Sequence, residues 1–194
     1  MFSKAEIKRN LLGTLEVALL MPAGPKRFGN SYDEAARSFI IPILFFPLSL
    51  VALYLYPDAE IAAASKNTFS LLFSLRLFFS WLLFFGIIYW LMKRVDHLDH
   101  FYRFVTGTNW LAIPATVIFL PVAVMLLSGA FSWDELYPFM KFLMFYTYAF
   151  TAFLAIHALI IPWELAGFIA ILAISVDDST LNAIKWLTSL FSAS

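Results

Sequence analysis

The sequence predicts an all-α protein: a polytopic transmembrane helix bundle of about five spans, with an N-terminal amphipathic helix at the membrane interface. Two observations support this fold class. Hydrophobic residues make up 62% of the 194-residue chain and charged residues only 13%, whereas a soluble domain is about half apolar and about a quarter charged. The apolar residues also fall into stretches of about 20, the length that crosses a bilayer core.

Residues 1–37 are predicted to form a cytoplasmic N-terminal segment that begins with an amphipathic helix from Ser3 to Met21. Ser3 and Glu6 fit the capping-box pattern, in which two side chains bond the free backbone N–H groups at a helix start. Apolar residues then recur at the spacing of one helix face, namely Ile7, Leu11, Leu15, Ala18 and Leu19. The turn sequence Pro22-Ala23-Gly24-Pro25 ends the helix.

This first helix is predicted to lie on the membrane surface. Its candidate membrane-surface residues are Lys4, Lys8 and Arg9. Lys4 and Lys8 border the apolar face, where their long side chains can extend to lipid headgroups. The alternative is an ordinary helix packed on a partner domain, but the basic composition of the polar face and the spans that follow favour the membrane.

Residues 38–194 are predicted to form the transmembrane domain. Four apolar stretches, about 39–56, 69–92, 104–127 and 139–161, are each near the span length of about 20 residues, and a fifth begins near Trp163. The first and third stretches contain prolines, which should kink those helices because proline has no backbone N–H. These prolines are Pro42, Pro47, Pro114 and Pro121.

The distribution of lysine and arginine predicts the orientation in the membrane. Nine lysines and arginines lie in residues 1–37 and in the connection between the second and third spans, residues 93–103. Only three lie on the opposite side of the membrane. Basic residues accumulate in cytoplasmic connections. We therefore expect the N-terminus to be cytoplasmic and the C-terminus to lie outside.

The sequence predicts an intramembrane position for three charged residues. Arg76 lies in the second span, and Asp177 and Asp178 follow only 14 residues after the start of the fifth. The fifth helix either stops short of the aspartates or continues through both. If it continues, a rise of about 1.5 Å per residue places Asp177 about 9 Å, and Arg76 about 10 Å, below the outer edge of a core about 30 Å thick.

Because the two depths agree, we predict that Arg76 pairs with Asp177 or Asp178 inside the bundle. A partner offsets part of the cost of about 2.5–3.5 kcal/mol for a charge held within lipid. Alternatively, Arg76 extends outwards to the membrane surface and the aspartates cap a short helix. In the third span, Asn109 is predicted to form a hydrogen bond across helices.

His97 and His100 form a weaker candidate, a metal site. Histidines three residues apart can share a helix face, and the neighbouring Asp96 and Asp99 offer carboxylate oxygens. No third strong ligand lies nearby in sequence, and metal sites normally need three or four. A solvated turn is therefore the favoured interpretation of this stretch, and we predict no cofactor.

Composition and motifs argue against several functional classes. The chain has no cysteine, which excludes disulfides, thiolate metal sites and a cysteine nucleophile. Its net charge of zero argues against a nucleic-acid partner. The sequence also lacks the common hydrolase, zinc-protease, P-loop and dinucleotide-binding motifs. We therefore predict that the protein is not an enzyme.

Five spans after a polar N-terminal segment, with a short final hairpin, resemble the Yip1-like superfamily of small polytopic membrane proteins. The stretch Phe28-Gly29-Asn30-Ser31-Tyr32-Asp33, leading through Arg37-Ser38-Phe39 into a proline-containing span, is similar to bacterial inner-membrane proteins grouped near that family. The resemblance implies a bacterial inner-membrane location and a role in membrane organisation or trafficking. It implies no site residues.

The predicted function is that of a non-enzymatic inner-membrane scaffold, accessory subunit or membrane-organising factor. Its expected partners are the lipid bilayer and either another protein or further copies of itself. The alternative is a small transporter or channel component with a polar path through Arg76, Asn109, Asp177 and Asp178. A metal-dependent membrane enzyme is a third possibility, and it requires a metal ion at His97 and His100.

Overall fold

A computed structural model describes residues 2–54 and 66–192, and every regular element in these two ranges is helical. The α-helices are α1 (Lys4–Ala18), α2 (Tyr32–Ser38), α3 (Ile40–Tyr54), α4 (Lys66–Arg94), α5 (Phe101–Trp110), α6 (Ala112–Leu127), α7 (Trp133–Ala158) and α8 (Trp163–Ser192). Short 3-10 helices, Pro25–Arg27 and Leu98–His100, precede α2 and α5. The predicted all-α class is thereby confirmed for the described part of the chain.

Four described stretches are long and apolar enough to cross a membrane: Phe69–Arg94, Leu98–Leu127, Trp133–Ala158 and Trp163–Ser189. Only 17–22% of the most apolar 18-residue window of each stretch is buried within the protein. The remaining apolar surface needs an apolar surrounding, which a bilayer provides. The fold therefore supports the prediction of a membrane protein.

The predicted first span corresponds to α3, which has 15 residues and is shorter than the other candidate spans. Its predicted end at Tyr56 lies outside the described residues. Within the described ranges, the structure therefore gives four candidate spans where the sequence predicts five. Pro47 lies inside α3 without ending it.

The predicted third span is divided at Leu111 into α5 and α6. The break lies just before Pro114, which has no N–H to donate to the carbonyl of Trp110 four residues earlier. The fifth predicted span is continuous from Trp163 to Ser192 and passes through both aspartates. This answers the question that the sequence leaves open for that helix.

The N-terminal segment packs against α5 and α7. Phe28, which is 2% exposed, lies between two helices at positions where each has a glycine. A Cβ atom added at Gly13 of α1 would lie 3.1 Å from the Phe28 ring, and one added at Gly107 of α5 would lie 2.9 Å from it. The Tyr146 hydroxyl of α7 also donates a hydrogen bond of 2.8 Å to the Ala18 carbonyl at the end of α1. The segment is therefore part of the main core.

The other half of the bundle is organised around α8, which contacts both α4 and α7. Between α4 and α8, the buried side chains of Phe69, Phe73 and Ile184 form a second hydrophobic cluster. This packing places Arg76 of α4 opposite Asp177 of α8.

Candidate functional site

Arg76 projects from α4 onto the backbone and side chains of α8. Its Nη2 atom donates to the Asp177 carbonyl at 2.8 Å and forms an ion pair with the Asp177 carboxylate. Its Nε atom donates to Thr180 Oγ1 at 3.2 Å. The Arg76 side chain is 11% exposed, whereas that of Asp177 is 59% exposed. The structure thus brings together the two residues of the predicted pair.

Two further hydroxyl groups extend this contact into a polar cluster, which we define as Arg76, Ser80, Tyr148, Asp177 and Thr180. Ser80 Oγ and Thr180 Oγ1 are 2.9 Å apart and share a hydrogen bond. On α7, Tyr148 lies close enough to Asp177 for the two side chains to interact electrostatically. Side chains from α4, α7 and α8 therefore converge on one ion pair.

The polar cluster lies at a depth where lipid chains would surround the protein. At a helical rise of about 1.5 Å per residue, Asp177 is about 21 Å from Trp163 at the start of α8. By the same measure, Arg76 is about 27 Å from Arg94 at the end of α4. Both distances fall within a hydrocarbon core of about 30 Å. If α4 and α8 cross a bilayer, the pair would lie within its hydrocarbon core, in the half away from Arg94 and Trp163.

Asp178 does not contact Arg76. Its carboxylate accepts a hydrogen bond of 3.1 Å from Asn182 Nδ2, one turn further along α8. Asp178 and Asn182 are both exposed, as are Ser175 and Ile171 on the same face of the helix. We call these four residues, together with the neighbouring exposed Asp177, the acidic face of α8. Of the two adjacent carboxylates, the Arg76 guanidinium group therefore pairs only with that of Asp177.

Asn109 lies outside the polar cluster. It is buried in α5, and its Nδ2 atom donates to Ser38 Oγ of α2 at 2.9 Å. Ser38 Oγ in turn donates to the Ala35 carbonyl at 2.6 Å. The predicted hydrogen bond across helices is present, but its partner belongs to the N-terminal segment. Asn109 therefore lies apart from the other residues of the polar path that the transporter alternative predicts.

The two histidines lie near one another without a third ligand in the described residues. The ring centroids of His97 and His100 are 6.4 Å apart. No group of three or more His, Cys, Asp or Glu residues in the described ranges is arranged to hold a metal ion. His157 packs edge-on against Phe153, with ring centroids 4.5 Å apart.

The basic residues of the N-terminal segment have different environments. Lys4 and Lys8 are exposed beside Ile7 and Leu11, in a shallow groove along α1. Arg9 pairs with Glu34 of α2 at 2.5 Å, and its side chain is 41% exposed. The membrane-surface role of Lys4, Lys8 and Arg9 stays a prediction.

Two further ion pairs fasten this segment. Arg37 pairs with Glu6 at 3.2 Å, and Arg27 pairs with Glu16 at 2.6 Å. Together with the contact between Arg9 and Glu34, these pairs join both ends of α1 to the chain that follows it. Sequence spacing gave no signal for them, because the partners lie 11 to 31 residues apart.

The Glu16–Arg27 pair predicts a pH dependence. The hydrogen bond from Arg27 lowers the pKa of the Glu16 carboxyl, against opposing partial desolvation and with added coulombic attraction. A lowered folded-state pKa gives stability that is present above the unfolded pKa and is lost as pH falls through the folded value. We expect the backbone of residues 19–28 to lose hydrogen-exchange protection below the usual carboxyl range.

A Glu16→Gln variant serves as the control for this prediction. It should already exchange faster at neutral pH, and its difference from the wild type should vanish in acid. A difference in hydrogen exchange between the variant and the wild type that stays constant from neutral to acid pH would show that the ion pair does not hold residues 19–28 in place.

No family model, no curated protein and no solved structure matches this chain. The features of the chain that bear on function are therefore the polar cluster and the acidic face of α8. The resemblance to the Yip1-like superfamily stays a prediction from topology.

Proposed function

We propose that this chain is a non-enzymatic integral membrane protein that acts as an accessory subunit and binds a second membrane protein through the acidic face of α8. The observation that carries the proposal is the 59% exposure of the Asp177 side chain at a depth within the hydrocarbon core. Asp178, next to it, is also exposed. Lipid chains offer these carboxylates no hydrogen bonds.

The energetic argument concerns the charge left over. A charged side chain at the centre of a membrane helix costs about 2.5–3.5 kcal/mol on insertion scales. Arg76 offsets this cost for Asp177, whereas Asp178 receives only the amide of Asn182. A partner helix that supplies a cation or further donors would offset the rest. Such residues in membrane spans commonly face a protein interior or a water-filled path.

The water-filled path is the basis of the alternative, a small transporter or channel component. The polar cluster joins three helices, which is an arrangement suited to ion or proton movement. However, the two grooves described, one along α4 and one along α1, have almost entirely apolar walls and include neither aspartate. The geometry therefore favours the accessory role.

Copurification from native membranes in a mild detergent tests the proposal. We expect a stoichiometric protein to stay bound to the wild type and to an Asp134→Asn variant, which changes an exposed aspartate at the start of α7. An Asp178→Asn variant should retain about tenfold less of it, equivalent to about 1.4 kcal/mol. Equal retention by both variants would refute the proposed interface. Proton flux in liposomes that depends on Asp177 would favour the transporter.

The proposal includes the surface position of α1. The helix buries small or polar residues, namely Asn10, Gly13, Thr14 and Val17. It exposes large apolar ones, namely Ile7, Leu11, Leu12, Leu15 and Leu19. This is the reverse of a helix in water, and it supports a helix whose leucine face rests in the membrane interface with Lys4 and Lys8 at the headgroups.

The proposed orientation, with a cytoplasmic N-terminus in a bacterial inner membrane, gives a labelling prediction. The chain has no cysteine, so single Ala5→Cys and Ala130→Cys variants can be labelled selectively at two exposed positions. A membrane-impermeant maleimide should label position 130 in intact cells and position 5 only after permeabilisation. Labelling in the reverse order would contradict the orientation inferred from the basic residues.

A further inference from the structure

A groove of about 480 Å³ runs along the outward face of α4, away from the acidic face. Its walls are almost entirely apolar. The lining residues are Phe79, Leu82, Leu83, Gly86, Ile87 and Trp90 of α4, with Thr180 of α8 at one end. No part of the proposed accessory function uses this groove.

The length of the groove matches one leaflet of a bilayer. Phe79 and Trp90 are 11 residues apart, or about 16 Å along the helix at a rise of about 1.5 Å per residue. Half of a hydrocarbon core of about 30 Å is about 15 Å. A single lipid acyl chain laid along α4 would therefore extend from the bilayer surface to near its midplane.

Gly86 leaves the middle of the groove open. A Cβ atom added at this position would have no other side chain within 4 Å. The leucines on either side, Leu82 and Leu83, are exposed and form the walls. The missing side chain thus provides depth in the part of the groove that an acyl chain would occupy.

The end of the groove at Trp90 carries positive charge. The Arg94 guanidinium lies over the Trp90 ring, 5.1 Å from its centroid, and Lys93 is exposed beside it. Tryptophan is enriched at the membrane–water interface, and arginine binds phosphate through several donors. The basic residues near Trp90 can therefore bind a phosphate group, and the apolar groove that continues from them along α4 can hold an acyl chain.

We propose that this groove binds an anionic phospholipid of the leaflet at the Arg94 end of α4. One acyl chain lies over Gly86 between Leu82 and Leu83. The headgroup phosphate contacts Lys93 and Arg94. The charge at Arg94 and the length from Trp90 to Phe79 select a lipid rather than a partner helix.

Native mass spectrometry of the purified full chain tests this proposal, with phosphatidylglycerol and phosphatidylcholine as probes. We expect one phosphatidylglycerol to bind about tenfold more tightly than phosphatidylcholine. Gly86→Leu fills the groove and should weaken phosphatidylglycerol about tenfold. Gly167→Leu is the matched control, because Gly167 of α8 also has no side chain within 4 Å of an added Cβ, and it should bind as the wild type does.

A second variant separates the headgroup from the chain. Arg94→Gln should remove the preference for phosphatidylglycerol while weak binding of both lipids persists. Unchanged binding in Gly86→Leu, or equal affinity of the wild type for the two lipids, would overturn the proposal. Melting temperatures of all variants in detergent show whether each remains folded.

Discussion

Asp177→Asn and Arg76→Gln are each expected to lower the free energy of unfolding in a bilayer by about 2.5–3.5 kcal/mol, the insertion cost of an uncompensated charge. Each substitution leaves the opposite charge within the hydrocarbon core. The double variant should lose less than the sum of the two, because both charges are then absent. Steric trapping or thermal unfolding in bicelles measures these differences.

Two controls set the scale for this prediction. Ser80→Ala removes only a hydroxyl contact with Thr180 and should cost about 0.6–1.7 kcal/mol or less. Asp178→Asn removes a carboxylate that is not paired with Arg76 and should not couple to Arg76→Gln. Strictly additive losses in the double variant of Arg76 and Asp177 would mean that the ion pair contributes no net stability.

Phe28→Ala is expected to destabilise the protein by about 3–5 kcal/mol, the usual cost of removing a buried aromatic ring. The ring lies between Gly13 and Gly107, and neither glycine has a side chain that can move into the space. Leu154 of α7 is also buried beside Gly107. The loss should therefore separate α1 from α5 and α7, and the Tyr146–Ala18 hydrogen bond should break with it.

Fluorescence of Trp110, in a background with the other five tryptophans replaced, offers a local measure, because its ring packs edge-on against Phe2 with centroids 5.4 Å apart. Phe28→Leu fills more of the space and should lose less stability than Phe28→Ala. A cost below about 1 kcal/mol for Phe28→Ala would show that the N-terminal segment is not fastened by this ring.

Features that follow from helix geometry could be predicted from the sequence. Apolar length located three of the four stretches that the structure gives as candidate spans, and the start of the fourth. The regular helical rise places Arg76 and Asp177 at nearly the same depth, and the structure shows that the two residues form an ion pair. The capping box at Ser3 and Glu6 predicted the start of α1, and it forms as expected.

Other boundaries were missed for local reasons. Helix α7 begins at Trp133, about six residues before the predicted start, because Ser132 and Glu135 form a second capping box. The same S-x-x-E pattern is present in the sequence, although the predicted span begins only at residue 139. The break at Leu111 has a different cause. Pro114 follows the break, whereas Pro121 lies inside α6 without breaking it. The sequence alone does not tell which of these two prolines interrupts the helix.

Contacts between distant segments could not be predicted. Tyr148 is one of many aromatic residues, and its place beside Asp177 depends on how α7 packs on α8. Phe28 likewise gains its role only from glycines on two other helices. The all-α class and one ion pair could therefore be predicted from the sequence, whereas the rest of the site depends on tertiary packing.

Site-specific photo-crosslinking in native membranes tests the accessory role most directly. A photoreactive amino acid at Ser175, on the acidic face of α8, should give one discrete protein adduct whose mass distinguishes a second copy from another protein. The adduct should be lost in Asp178→Asn, and the same probe at Leu120, an exposed position on α6, should not form it. Lipid adducts alone at both positions would contradict a protein partner on α8.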